Sequence, residues 1–396
     1  MSDERAARYD LDGSAWRGRP HEQHGVLRGP GYLYRAGHIL LEDEQPYTGR
    51  VREQLRAAGA SPHEEHMANF SQAGLPVLAF QVPGEVHIPD LVDRLRQRED
   101  GEPTPNVGPN HVYGGEWDYE GGPDGDLDPA KPGDELASRK PAAGPPRIAI
   151  LDTGYDRAVK QLHPGLYDRL DAEGDEDPYI SGDSLAVEAG HGTFVAGIVM
   201  KLAPDLRIRQ VRVLDRSGAG DDATVARGLA VANAAVVNLS LGGYTHGDQP
   251  PVALATALAQ LDDSVAVVAA AGNNNSQQPF WPAAFKRVIS VGALDTTNGE
   301  PVRASFSNYG HWVDIYAPGV RVHSTYLDGT YTEPDRHLAH LKGWALWNGT
   351  SFSTPQVAAS IASLVRSGVT ARQAAHQVLA SAPWLPGVGP VLIPQA

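Results

Sequence analysis

From residue 147 onward, short apolar runs alternate with stretches in which apolar residues recur every three or four positions. The runs at 147–151, 206–214, 235–241, 265–271 and 288–293 predict strands, and the windows 191–202, 222–232 and 252–261 predict helices between them. A further helix is expected after Ser351, where Val357, Ala358, Ile361, Ala362, Leu364 and Val365 recur at helical spacing, with Pro355 placed in its first turn. Strand–helix alternation over about 240 residues predicts an α/β domain, a mainly parallel sheet with helices on both faces. Ligands of such sheets gather at the carboxyl ends of the strands, and Asp152, Gly242 and Asn273 all fall there.

The first part of the chain has a different pattern. Residues 1–30 are polar and rich in Gly and Arg, and predict a loose arm. Within 31–113, the stretch 32–41 is strand-like, 48–58 carries Val51, Leu55 and Ala58 at helical spacing, and 75–82 suits a buried strand. The window 88–98 places Ile88, Leu91, Val92 and Leu95 on one helical face with Pro89 near the start, and 107–113 suits a last strand. This order predicts a small α+β, ferredoxin-like domain. Residues 114–146 are rich in Gly, Pro and acidic residues without apolar periodicity, and predict a flexible linker to a larger domain at 147–396.

Composition narrows the chemistry. A chain of 396 residues, 41% hydrophobic and 20% charged, has material for a sizeable core. A net charge of −15 argues against nucleic acid or an anionic membrane as partner. With no cysteine, disulfides, thiol catalysis and Cys–metal sites are excluded. The N-terminus runs into charged residues without an apolar core, and no run approaches the ~18 apolar residues needed to span a bilayer, so the expectation is a soluble cytoplasmic protein.

Ser351 sits where a helix start favours negative charge, which suits a plain N-cap or a nucleophile. Acyl transfer by serine needs a base, a carboxylate to orient the base, and a donor for the oxyanion. Asp152 and Asn273 at strand ends, His191 at a helix start and Ser351 supply those residue types. The segments Ile148-Ala149-Ile150-Leu151-Asp152-Thr153-Gly154, Gly190-His191-Gly192-Thr193 and Gly349-Thr350-Ser351 occur in that order. So do Asn238-Leu239-Ser240-Leu241-Gly242-Gly243, Ala269-Ala270-Ala271-Gly272-Asn273, Phe306-Ser307-Asn308-Tyr309-Gly310 and Ala317-Pro318-Gly319-Val320.

Over roughly residues 145 to 385 the chain thereby resembles the subtilisin-like serine proteases, or subtilases. The resemblance implies a subtilisin-like fold and endopeptidase chemistry on a protein or peptide substrate. Ser351 would be the nucleophile, His191 its base, Asp152 the orienter and Asn273 the oxyanion donor. Substrate would add as a strand between Ser240, Leu241 and Gly242 on one side and Gly218, Ala219 and Gly220 on the other. The N-terminal domain resembles the subtilase propeptide, which implies intramolecular inhibition and a zymogen, with 107–113 as its closing strand. The alternatives are a catalytically silent binding module, against which the presence of all four reacting residues counts, and a transpeptidase, which would use the same residues and acyl-enzyme.

Several positions depart from the family pattern: Phe194 after His-Gly-Thr, and Phe352, Ser353 and Gln356 after the serine. They carry no chemical step and are expected to repack around the site. The short connection after 202, and Gly165 after His163-Pro164, imply that the family's high-affinity calcium site is missing, so no cofactor is expected to be required. The acidic run Asp168, Asp171, Glu173, Asp175, Glu176 and Asp177 is expected to be a solvated loop, with calcium binding as the alternative. A bulky Phe280 before Trp281-Pro282 is expected to shrink the primary specificity pocket.

Overall fold

The computed structural model describes residues 25–114, 127–133, 147–171, 180–181, 184–185, 188–215, 218–332, 338–366 and 368–394. In the N-terminal domain, strands β1 (Val26–Gly29), β2 (Tyr32–Glu42), β3 (Ser61–Pro62), β4 (Val77–Gln81) and β5 (Val107–Gly114) pair antiparallel. Helices α1 (Thr48–Ala57), α2 (Glu64–Ala73) and α3 (Ile88–Leu95) connect them. Residues 26–29, read from the sequence as part of a loose arm, pair with Tyr32–Arg35 instead. Helix α2 left little trace in the sequence because only Phe70 of its ten residues is buried.

Alternation along β2 and β4 sends side chains to opposite faces. Ile39, Leu41, Leu78 and Phe80 pack with Val51, Leu55, Leu91, Val92 and Leu95 of helices α1 and α3. Leu40, Val77 and Ala79 join a second core that belongs to the rest of the chain.

The larger domain is built on strands β6 (Arg147–Asp152), β7 (Arg207–Arg212), β9 (Val236–Leu239), β10 (Ala266–Ala270), β11 (Val288–Asp295) and β12 (Ile315–Pro318), all paired in parallel in the order β7-β6-β9-β10-β11-β12. Helix α4 (His191–Leu202) and helix α7 (Thr350–Leu364) cover one face; α5 (Asp222–Val231) and α6 (Val252–Gln260) cover the other. Along β6, Ile148 and Ile150 point into the first core while Ala149 and Leu151 point into the second. Both faces are dry, which is why these strands read as unbroken apolar runs.

The short strand β8 (Ala219–Asp221) joins the domains, because it pairs antiparallel with Val112–Gly114 of β5. Two long strands, β13 (Val322–Thr332) and β14 (Leu338–Trp347), pair antiparallel beneath α4 and were not expected from the sequence. Helix α8 (Ala371–Ser381) follows α7, with a capping box at Thr370 and Gln373. Part of the segment expected to be a free linker is anchored: Leu127 is buried, and Asp128 and Pro129 pair with Leu346 and Ala345 of β14. No helix among the described residues is long and apolar enough to cross a membrane.

Candidate active site

Asp152 closes β6 and His191 opens α4, and the connection brings their side chains together in a fully buried pocket. His191 Nδ1 lies 2.7 Å from Asp152 Oδ1, which also accepts from Thr153 N–H at 2.7 Å. Thr153 Oγ1 in turn accepts from Gly192 N–H at 3.1 Å, so the strand end and the helix start hold each other. The glycine after His191 is a steric requirement: a Cβ there would sit 2.3 Å from the Gly154 carbonyl oxygen. Gly192→Ala is therefore expected to cost about 1–3 kcal/mol through overpacking, and to lower activity more than stability because it parts Asp152 from His191. Denaturant melts beside peptide-hydrolysis rates check this; an unchanged rate would count against it.

The His191 ring is held from below by Trp347 and Phe352, with ring centroids at 5.5 and 5.4 Å. Phe194 packs 4.6 Å from Phe352 and 5.7 Å from Trp347. The departures Phe194 and Phe352 are thus one mutual repacking under the imidazole. Ser353 Oγ donates to the Ala317 carbonyl, and Gln356 Nε2 donates to the Pro318 carbonyl at 2.6 Å. These two departures pin α7 onto β12.

Helix α7 starts at Thr350, with Gly349 as its N-cap residue. Ser351 is therefore inside the helix and does not serve as a plain N-cap. Pro355 lies beyond the first turn, which corrects the sequence reading. Its missing N–H would have bonded the Ser351 carbonyl, and that carbonyl accepts from Ser240 Oγ at 2.7 Å instead. Asn238 Nδ2 supports Ser240 Oγ at 2.9 Å. The Ser351 hydroxyl itself donates to the Ser240 carbonyl at 3.2 Å.

Asn273 follows β10 and reaches the same helix start. Its Oδ1 accepts from both the N–H and the Oγ1 of Thr350, each at 2.9 Å. Because a backbone N–H can only donate, this fixes which end of the amide is oxygen and leaves the NH2 end as the donor. Two residues given no role from the sequence set this arrangement. Thr350 holds the amide, while Asn308 clamps its loop: Nδ2 donates to the Ala271 carbonyl at 2.8 Å and Oδ1 accepts from Asn274 and Ser276 N–H. Asn308 lies in the Phe306–Gly310 motif, which was the available signal.

The expected substrate strands flank an occupied slot. Gly242 exchanges both backbone hydrogen bonds with Gly114, at 2.9 and 3.0 Å, and on the other side Ala219 and Gly220 pair with Gly114 and Tyr113. Gly218 precedes this strand in a left-handed conformation at φ 74°. Leu241 turns its side chain into the core, so only its backbone serves the slot. A Cβ on Gly242 would meet the Phe280 ring at 2.2 Å, which places Phe280 directly against that strand. Of the acidic run, Glu173, Asp175, Glu176 and Asp177 lie outside the described residues.

The subtilase family model (Peptidase S8) matches residues 145–383. A thermophilic serine proteinase from Bacillus sp. (strain AK1) is 38% identical over 58% of this chain and 55% of its own length. M-protease from Shouchella clausii (strain KSM-K16) is 36% identical over 56% of this chain and 53% of its own. The chain thus spans about half the length of the curated relatives it matches. Among solved structures, fervidolysin from Fervidobacterium pennivorans, described as a keratinolytic enzyme related to subtilisin, covers 93% of this chain with 61% of its own. Its TM-score is 0.60 at 20% identity, which is a likeness of fold. The motifs, the sheet that carries them and the family match agree, and the chain belongs to the subtilase family.

Proposed function

We propose that this chain is a serine endopeptidase that hydrolyses protein or peptide substrates through an acyl-enzyme. The observation that carries the reading is the buried 2.7 Å His191–Asp152 pair at the same end of the sheet as Ser351 and Asn273. Ser351 Oγ attacks the scissile carbonyl and passes its proton to His191 Nε2, which returns it to the leaving amine. Rotation about the Ser351 Cα–Cβ bond releases the Ser240 carbonyl and re-aims the hydroxyl. Asp152 keeps the proton of His191 on Nδ1, so that Nε2 stays basic. The tetrahedral oxyanion is met by Asn273 Nδ2 and the Ser351 N–H, at a helix start whose dipole favours negative charge. No metal or cofactor enters these steps.

The N-terminal domain acts as an intramolecular inhibitor in this reading. Val112–Gly114 takes the place of an added substrate strand between Ala219–Asp221 and Gly242, and Tyr113 is buried there. Activity then follows cleavage of the chain after Gly114 and release of the domain. The test is the intact mass of wild type beside Ser351→Ala, together with fluorophosphonate labelling. Wild type is expected to shorten within 115–146 and label at Ser351, whereas the variant keeps its full mass and does not label. A wild type that stays unlabelled after the N-terminal domain has been cut away overturns the reading.

Asn273→Ala is expected to lower kcat by about 10²–10³ with little change in KM, a magnitude known for the same donor in a subtilisin rather than one calculated from this geometry. Loss expressed mainly in KM would remove Asn273 from the oxyanion role. Phe280 against Gly242 restricts the space for the residue at the cleaved bond, so small side chains are the expected preference. Phe280→Ala should shift a peptide-library profile toward larger ones, and an unchanged profile would refute this assignment.

A further inference from the structure

Outside the cleft, one group of potential metal ligands converges among the described residues. His38 lies on β2, His63 caps α2 and His66 stands in its first turn, with one ligand nitrogen from each lying within 4.8 Å of the others. The topology assembles them. Strand β4 runs between β2 and β3, with Gln81 facing His38 on one side and Ser61 on the other. The chain then leaves β3 directly into α2, so that His63 and His66 follow at once. Their rings stack at 4.3 Å, and His38 meets both edge-on at 4.5 and 5.5 Å.

Protein groups leave this cluster poorly satisfied. His38 Nδ1 is buried without a hydrogen-bond partner. Within the cluster, His66 N–H donates to His63 Nδ1 over a long 3.3 Å. Burial first, then the neighbouring imidazoles, push His38 down to about 4, and burial also lowers His66. Both rings are therefore neutral near neutral pH, the state in which imidazole ligates metals. Asp221 and Glu65 add a field that favours a cation. Arg35 opposes it, but its guanidinium is paired with Asp221 at 2.9 Å.

We propose that His38, His63 and His66 form a binding site for one divalent transition-metal ion of the zinc class, with water completing the coordination. All three side chains are half-buried, which leaves that water access. Whichever nitrogen of His63 takes the metal, its Nδ1 stops accepting from His66 N–H, so a weak cap bond is exchanged for a coordinate bond. The metal joins β2 to the start of α2. That helix touches α5 and carries Phe70 into the core between the domains, to which Val225, Ala226 and Leu229 of α5 also belong. Metal binding is therefore expected to stabilise the N-terminal domain in its docked position.

The experiment uses the full chain carrying Ser351→Ala, which prevents self-cleavage and leaves the three histidines untouched. Titration with Zn2+ should give one site, and Co2+ should give the visible d–d bands of a low-coordinate nitrogen site. Thermal unfolding should move upward with either ion. Loss of a direct ligand should cost at least the ~10–100-fold in affinity that loss of a ligand's hydrogen-bond support costs. His66→Gln and, separately, His38→Gln should each show that loss together with the Co2+ bands. His66→Gln gives up no observed side-chain hydrogen bond, and circular dichroism verifies that each variant is folded. Absence of binding in the parent chain, or equal affinity and spectra in parent and both folded variants, overturns the proposal. None of these measurements needs peptidase activity, so the outcome is independent of the endopeptidase reading.

Discussion

Ser351→Ala and His191→Ala are each expected to lower kcat by about 10⁶, and the double variant by no more than either alone. The size is that known for the corresponding unit in a subtilisin; the non-additivity follows from the roles proposed for these residues. A base without a hydroxyl to deprotonate does nothing, and the hydroxyl alone is a poor nucleophile at neutral pH. Asp152→Asn should cost less, about 10⁴, because the carboxylate touches no substrate atom. Its Oδ1 accepts from both His191 Nδ1 and Thr153 N–H, and the uncharged amide that replaces it no longer stabilises the imidazolium formed on His191 during proton transfer. Rates should be measured on chain already freed of the N-terminal domain, since the proposed self-release would itself depend on the triad. Additive losses in the double variant would show that Ser351 and His191 do not work as one unit.

The residues of the candidate site were legible because each sits at a junction that tolerates few alternatives. Gly192 is forced by the Gly154 carbonyl, and Gly242 by the Phe280 ring, so the chemistry leaves a fixed steric print in the sequence. The parallel strands were legible for a related reason, since burial on both faces removes polar residues from them. Helix α2 was not, because one buried phenylalanine gives no periodicity. Strands β13 and β14 were missed because their polar residues are satisfied by long-range partners. Ser324 Oγ donates to the Phe194 carbonyl, and Thr325 Oγ1 to the Thr193 carbonyl, both on α4. Thr350 and Asn308 were missed as site residues because they act only through Asn273 and its loop. The anchored stretch 127–133 likewise depends on β14 and Arg321, far away in the chain.

Acid should loosen the N-terminal domain from the larger one, with His111 as the main cause. This histidine on β5 is fully buried, and its Nε2 accepts from the backbone N–H of His246 at 3.0 Å. Burial, followed by repulsion from Arg96 and His246, pushes its pKa down from 6.5 to about 3. The docked state therefore prefers neutral His111. The sign follows: its contribution is fully present above the unfolded value and is lost progressively as pH falls from 6.5 toward 3. Over that whole window the loss amounts to about 4–5 kcal/mol, so about pH 4.5 should already show a large part of it. Protonation also removes the acceptor for His246 N–H, while His246 itself is bonded to Tyr32 and Asp93 of the N-terminal domain. One proton thus weakens the hub of the seam. The measurement is urea unfolding of the intact Ser351→Ala chain between about pH 7.5 and about pH 4.5, beside the same chain carrying His111→Gln. Glutamine keeps an acceptor for His246 and carries no titrating proton, so its profile should be the flatter by about the amount that protonation of His111 contributes. Parallel profiles would mean that the acid sensitivity of the seam lies elsewhere.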